Sequence, residues 1–247
     1  MNRSTALVSV IIPTYNRAAF LAEAVGSVLR QAYRPLEVII VDDGSTDETA
    51  HVVAQFGSQV RYQYQPNRGP AAARNHGLRL AGGELIGFLD SDDWWPDDAL
   101  DLQLDLLSKN PSVEIVSGHA VQVRREPGAP EIEVISPPQF TMNLSCTLFR
   151  RSAFDRTGGF DEKLWHCDDW DLFMRVRELG LPMLIHDSVV HFYRRHESNI
   201  TNQRSVSQQY QVKMLRQSLA RRRALSNGQA ESLPSFGVNS EIINSRR

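Results

Sequence analysis

The sequence predicts an α/β domain with a mostly parallel, Rossmann-like central sheet flanked by helices. Three observations carry this expectation. Short Val/Ile-rich runs at residues 7–12, 36–41 and 85–89 have the composition of strands buried on both faces. Segments with apolar residues at helical spacing separate them, and such alternation selects a parallel sheet with right-handed crossovers. Two of the runs break off into carboxylates, at Val41-Asp42-Asp43 and Leu89-Asp90-Ser91-Asp92-Asp93, and sheets of this class bind ligands beyond the carboxyl ends of their strands.

The elements follow in order. After the first run, closed by Pro13, Phe20, Leu21, Ala24, Val25, Val28 and Leu29 recur at helical spacing, and Pro35 follows. Beyond the second run, Ser45 and Glu48 read as a capping box that feeds a helix carrying Val52, Val53 and Phe56. Val60, Tyr62 and Tyr64 alternate with polar residues as in a less buried strand. The Ala-rich stretch 71–81 predicts a helix stopped by Gly82-Gly83. Pro96 with Asp97 and Asp98 opens another helix, whose Leu100, Leu104 and Leu107 face the core until Asn110-Pro111. The second half is less regular, with strands expected at 115–123, 142–149 and 183–192 and a Pro-rich loop or flap at 124–138. A short amphipathic piece spans 151–156, and Asp168-Asp169-Trp170-Asp171 opens a helix that Gly180 stops. Residues 203–225 predict an exposed helix and 226–247 a disordered polar tail.

Composition bounds the function. At 247 residues the chain holds one sizeable core, and a net charge of −2 with dispersed Lys and Arg offers no face for nucleic acid. Cys146 and Cys167 lie far apart without CxxC spacing and read as reduced thiols of a cytoplasmic protein. The first residues are too polar for a secretory h-region, and no apolar run approaches the ~20 residues of a membrane span. The expectation is a protein with no transmembrane segment, at most peripheral at the inner face of the membrane; Arg221-Arg222-Arg223 alone fall short of a polybasic patch.

Carboxylates as crowded as Asp90, Asp92 and Asp93 repel one another unless a cation sits among them. Six segments in this order resemble the family 2 glycosyltransferases, inverting enzymes of the A-type glycosyltransferase fold. They are Val10-Ile11-Ile12-Pro13-Thr14-Tyr15-Asn16-Arg17, Val41-Asp42-Asp43-Gly44-Ser45-Thr46-Asp47, Asn67-Arg68-Gly69 with Ala73-Arg74-Asn75, Leu89-Asp90-Ser91-Asp92-Asp93, Gly158-Gly159-Phe160-Asp161 and Asp168-Asp169-Trp170-Asp171-Leu172. The resemblance spans residues 7–200. It implies a glycosyltransferase domain over 1–202, with a nucleotide-binding half at 7–110 and an acceptor half at 111–202, followed by the helix and tail of 203–247.

The resemblance also implies roles. Pro13, Thr14 and Tyr15 line the base and ribose, and Asp43 accepts the imide N–H of a uracil ring. Arg74 touches base or phosphate, with a helix-surface salt bridge as the competing role. Asp90 and Ser91 belong to the donor site, with Asp90 on the ribose or, through water, the metal. Asp92 ligates Mn²⁺ or Mg²⁺, which neutralises the departing diphosphate, and His196 joins it against metal or diphosphate. Asp93 reads as a helix-leading surface acid, and Arg194 and Arg195 as phosphate contacts or loop decoration. Asp169 is the base that takes the acceptor proton, and Asp168 replaces the Glu usual in the family pair. Trp165 and Trp95 are candidate acceptor platforms, while Trp170 reads as packing. The expected reaction moves a sugar from a nucleotide sugar, UDP-linked, to a hydroxyl of a glycan or lipid-linked acceptor, as in polysaccharide biosynthesis. The competing readings are a sugar nucleotidylyltransferase, which normally carries a Gly-rich loop absent after the first strand, and a non-catalytic carbohydrate-binding module, which needs no base.

Overall fold

The computed structural model describes residues 6–202, 204–225 and 233. The first half lays down β1 (Val8–Thr14), α1 (Ala18–Leu29), β2 (Leu36–Asp42), α2 (Thr49–Ala54), β3 (Arg61–Tyr64), α3 (Pro70–Leu80), β4 (Leu85–Phe88) and α4 (Ala99–Lys109). The second half adds β5 (Ile115–Arg124), β6 (Glu133–Val134), β7 (Gln139–Phe140), β8 (Thr147–Arg150), α5 (Arg151–Thr157), α6 (Asp168–Glu178), β9 (Met183–Arg194) and α7 (Arg204–Leu225).

All strands join one sheet whose path runs β3-β2-β1-β4-β8-β5-β6, with β7 and β9 also paired to β5. β1 to β4 are mutually parallel. β8 is antiparallel to both β4 and β5, and β9 runs parallel to β5. Two reversals cancel, so β5 and β9 point the same way as β4. The carboxyl ends of β1, β2, β4 and β9 therefore lie along one edge of the sheet, and that fact positions the site.

Side chains alternate across the pleat. Val8, Val10 and Ile12 face a core layer with Leu21, Val25, Val28, Leu100, Leu104 and Leu107 of α1 and α4. Ile11, Ile86 and Phe88 face the opposite layer with Phe149, Phe154, Leu172 and Phe173. Both layers are buried, which is why these strands read as continuous apolar runs.

The structure departs from the sequence expectation in three places. Ser45 does not cap a helix: its Oγ accepts the Asn16 N–H (2.9 Å), while Asp47 accepts the Thr49 N–H (3.1 Å) where α2 begins. The expected strand 142–149 starts late because the Asn143 carboxamide accepts the Ser145 N–H (2.7 Å) and turns 144–146 into a 3₁₀ segment before β8. The flap at 124–138 contributes β6, laid against Val123 and Arg124. The expected tail beyond α7 lies outside the described residues, Leu233 excepted. No helix among the described residues is long and apolar enough to cross a membrane.

Candidate active site

One cleft of about 700 Å³ opens at the carboxyl edge. Pro13, Thr14 and Tyr15 enter it from β1, Asp43 from β2, Arg74 from α3, and Asp90, Ser91 and Asp92 from the turn after β4. Trp165, Asp168 and Asp169 close the far side. Of the catalytic, donor, metal and acceptor candidates, His196 and Trp95 fall outside this lining, for different reasons.

Asp43 is buried, and three protein donors hold its carboxylate: Gln65 Nε2 (2.7 Å), the Arg68 N–H (2.9 Å) and the Gly69 N–H (2.8 Å). A carboxylate has about four acceptor positions, which leaves one for a ligand. Asp43 thus shapes the 67–69 loop as well as facing the cleft. Gly69 sits at φ +90° with Trp165 stacked above it, and a Cβ there would come within 3.3 Å of the indole. The glycine lets Trp165, 46% exposed, lie as an open aromatic face over the cleft.

Asp92 Oδ2 accepts from Arg17 Nε (3.1 Å) and faces His196 Nε2 at 3.1 Å. Burial works against its charge, but His196 and Arg17 prevail and hold the carboxyl below the usual range. His196 stacks on Phe20 at 4.6 Å, so it approaches Asp92 from behind the cleft wall. Two ligands at right angles on one cation, each ~2.1 Å from it, lie about 3 Å apart. The Asp92–His196 separation of 3.1 Å falls within that spacing and is also that of a direct hydrogen bond. No cluster of three His, Cys, Asp or Glu side chains that could hold a metal forms among the described residues. Arg17, which the sequence reading passed over, donates to the same oxygen. Its position directly after the Asn16 turn of the first motif was the available signal.

The next residue overturns an expectation. Asp93 is 1% exposed, not a surface acid: its Oδ2 meets His191 Nε2 at 2.8 Å and its Oδ1 accepts the Arg194 N–H at 2.8 Å. Burial pushes the Asp93 carboxyl up to about 6. Burial would depress His191, but Asp93 and the Cys146 thiol prevail and raise the imidazole above its ordinary value. Arg194 neither meets phosphate nor decorates a loop. It is fully buried, donates from Nε to the Asp92 carbonyl (2.8 Å), pairs with Glu23 and lies 4.5 Å from the Trp94 ring centre. The end of β9 is thereby latched to the Asp92 turn, two residues before His196.

Arg74 resolves the remaining acids. Its Nη1 donates to buried Asp168 Oδ2 (2.6 Å) and its Nη2 to half-buried Asp90 Oδ1 (2.9 Å). Burial opposes its charge, yet Asp168, Asp90 and Asp169 raise its pKa further. The surface role is excluded by this burial. Cys167, at φ +63°, turns the chain so that Asp168, Asp169 and Asp171 all fall in the first turn of α6. Burial and the neighbouring Asp168 charge push Asp169 up to about 7, against Arg74. A carboxyl poised near neutrality is matched to accepting a proton.

Trp95 is the other correction. It is 3% exposed in the core, and its Nε1 donates to the Ser145 carbonyl (2.7 Å), so it presents no face to an acceptor. An apolar strand end followed by two tryptophans gives no local sign of which turns inward. Trp170, 38% exposed, lines the cleft instead of packing in the core.

Comparison with known proteins decides the family: the model of glycosyl transferase family 2 matches residues 9–168. The chain belongs to glycosyl transferase family 2. The transferase is 29% identical over 216 residues to an uncharacterized glycosyltransferase of Rickettsia typhi, covering 81% of this chain and 68% of that protein. It is 34% identical over 184 residues to the chondroitin synthase of Escherichia coli, covering 70% of this chain but only 27% of that protein's length. Among solved structures, S. aureus TarS 1-349 in complex with UDP-GlcNAc superposes with a TM-score of 0.72 at 22% identity, covering 91% of the transferase and 68% of TarS 1-349. The mannosyltransferase PcManGT of Pyrobaculum calidifontis, in complex with GDP-Man and Mn²⁺, gives 0.63 at 24% identity, covering 92% and 66%. The transferase has the A-type glycosyltransferase fold of these neighbours.

Proposed function

We propose that the chain is a metal-dependent, inverting glycosyltransferase that moves a sugar from a UDP-linked donor to a hydroxyl of a glycan or lipid-linked acceptor. One observation carries the reading: a single cleft holds Asp92, backed by His196 at 3.1 Å, on one side and Asp169, whose carboxyl is pushed up to about 7, on the other. Asp92 and His196 would hold the metal, which would supply positive charge for the departing diphosphate. Pro13, Thr14, Tyr15 and Asp43 hold base and ribose, with Asp90 and Ser91 beside them. Asp169 takes the acceptor proton as that oxygen attacks the anomeric carbon from the face opposite the diphosphate; one C–O bond forms and the other breaks. Arg74 keeps Asp168 and Asp90 in place around the donor. Trp165 offers a stacking face for an acceptor sugar.

The relatives support the substrate classes. A neighbour is bound to UDP-GlcNAc, another to GDP-Man and Mn²⁺, and two relatives are named chondroitin and hyaluronan synthase. The boundary near residue 110 between nucleotide and acceptor halves belongs to the same proposal. A thermal-shift panel of UDP, GDP, dTDP and CDP sugars with Mn²⁺ tests it. A ligand at a hundred times its Kd stabilises by about 2.7 kcal/mol, or roughly 5–11 °C for a chain of this size. A shift with UDP sugars that requires Mn²⁺ is expected; no shift with any nucleotide sugar would overturn the reading.

A further inference from the structure

Helix α7 packs inward through polar contacts. Gln217 donates to Asp161 (2.9 Å), and Arg221 pairs with Glu178 (2.6 Å) and Asp171 (3.0 Å). Ser218 is fully buried, and Met214 is the one larger aliphatic residue of the helix that enters a core cluster, beside Leu164 and Met174. Three further aliphatic residues point the opposite way: Val212, Leu215 and Leu219 are 49%, 48% and 38% exposed. Their spacing of three and four residues places them in one stripe. Arg216 and Arg223 are exposed on the same side, and neither meets a carboxylate among the described residues. From end to end α7 carries Arg204, Lys213, Arg216, Arg221, Arg222 and Arg223 and not one Asp or Glu.

A helix that buries polar groups and exposes its aliphatic ones presents an outer face suited to something apolar. The absence of acids selects the occupant. Two such faces, each positive, would repel if stacked on one another, whereas an anionic surface with an apolar interior satisfies stripe and rim together. We propose that the outward face of α7 docks on an anionic lipid leaflet through Val212, Leu215 and Leu219, with Arg216 and Arg223 on headgroup phosphates. The first turns of α7 also wall the cleft through Ser207 and Gln211. If the transferase reading holds, on which this last step alone rests, docking brings the cleft beside membrane-borne acceptors.

The test is co-flotation of the full chain with vesicles of phosphatidylcholine and with vesicles that also contain phosphatidylglycerol. Binding is expected only to the latter and should weaken with salt, as the Debye length shrinks. Arg216→Gln with Arg223→Gln should weaken it about 25-fold, near fivefold per basic residue. Leu215→Gln with Leu219→Gln should also release the protein. Both variants should keep the wild-type melting temperature and Mn²⁺-dependent UDP-sugar binding in solution, which separates failure of this surface from failure of the transferase reading. Equal binding to both vesicles, no binding to either, or unchanged binding of the two variants would overturn the proposal. So would self-association that the Leu variant abolishes, since the stripe would then meet a second copy.

Discussion

Replacing Arg74 with Met removes the cation that joins three acids. The Arg74 and Asp168 side chains are 9% and 5% exposed, so water cannot take over when the guanidinium leaves. Breaking a buried pair from one side costs about 3–5 kcal/mol, which for a chain of this size lowers the melting temperature by roughly 6–20 °C. Asp168→Asn in the same chain should restore most of that loss, because it removes the stranded charge. The variant also moves the pH profile. Asp169 accepts a proton only when ionised, so kcat/KM should climb as pH rises through about 7 in the parent. Arg74 is the neighbour that draws the Asp169 carboxyl downward, so without it the climb shifts to higher pH. Thermal unfolding and a pH–rate profile of Arg74→Met measure both effects. A melting point within about 2 °C of the parent, with an unmoved profile, would refute the role given to Arg74.

Further outcomes follow from the same geometry. Asp92→Ala should abolish the Mn²⁺-dependent part of donor binding in a calorimetric titration while the fold persists; an unchanged titration sinks the ligand assignment. Trp165→Ala should raise the acceptor KM about 2- to 12-fold, the worth of one aromatic contact. Trp95→Phe should leave that KM alone and cost about 1–3 kcal/mol of stability, because the buried Ser145 carbonyl loses its donor. His191→Phe strands Asp93 in a site where both side chains are wholly buried, and should cost about 3–5 kcal/mol. It should also weaken Mn²⁺ binding, since the latch that sets the Asp92–His196 distance is lost.

The parallel half of the fold was legible because each buried strand is a local signal: 7–12, 36–41 and 85–89 became β1, β2 and β4 within two residues at either end. The strand ends also located the cleft, since Asp43, Asp90 and Asp92 had to share an edge once the strands were parallel. The rest depended on partners distant in sequence. Asp93 resembles any acid before a helix until β9 delivers His191, 98 residues later, into hydrogen-bond range. Arg74 looks equally fit for surface or site until Asp168, 94 residues on, closes over it. Ser45 obeyed the spelling of a cap, but Asn16 claimed its hydroxyl and Asp47 took the helix. Trp94 and Trp95 are adjacent and both buried, yet only tertiary packing decides that neither serves a ligand.

Asp169→Asn tests the account most directly. The substitution keeps the size of the side chain and removes its capacity to take a proton. Single-turnover transfer from a donor sugar in the presence of Mn²⁺ should fall by about 10²–10⁴-fold, the usual contribution of a general base, while donor and Mn²⁺ binding stay at parental strength. Transfer that survives at more than about a tenth of the parental rate, with binding intact, would contradict the assignment of the base and with it the reading of the cleft.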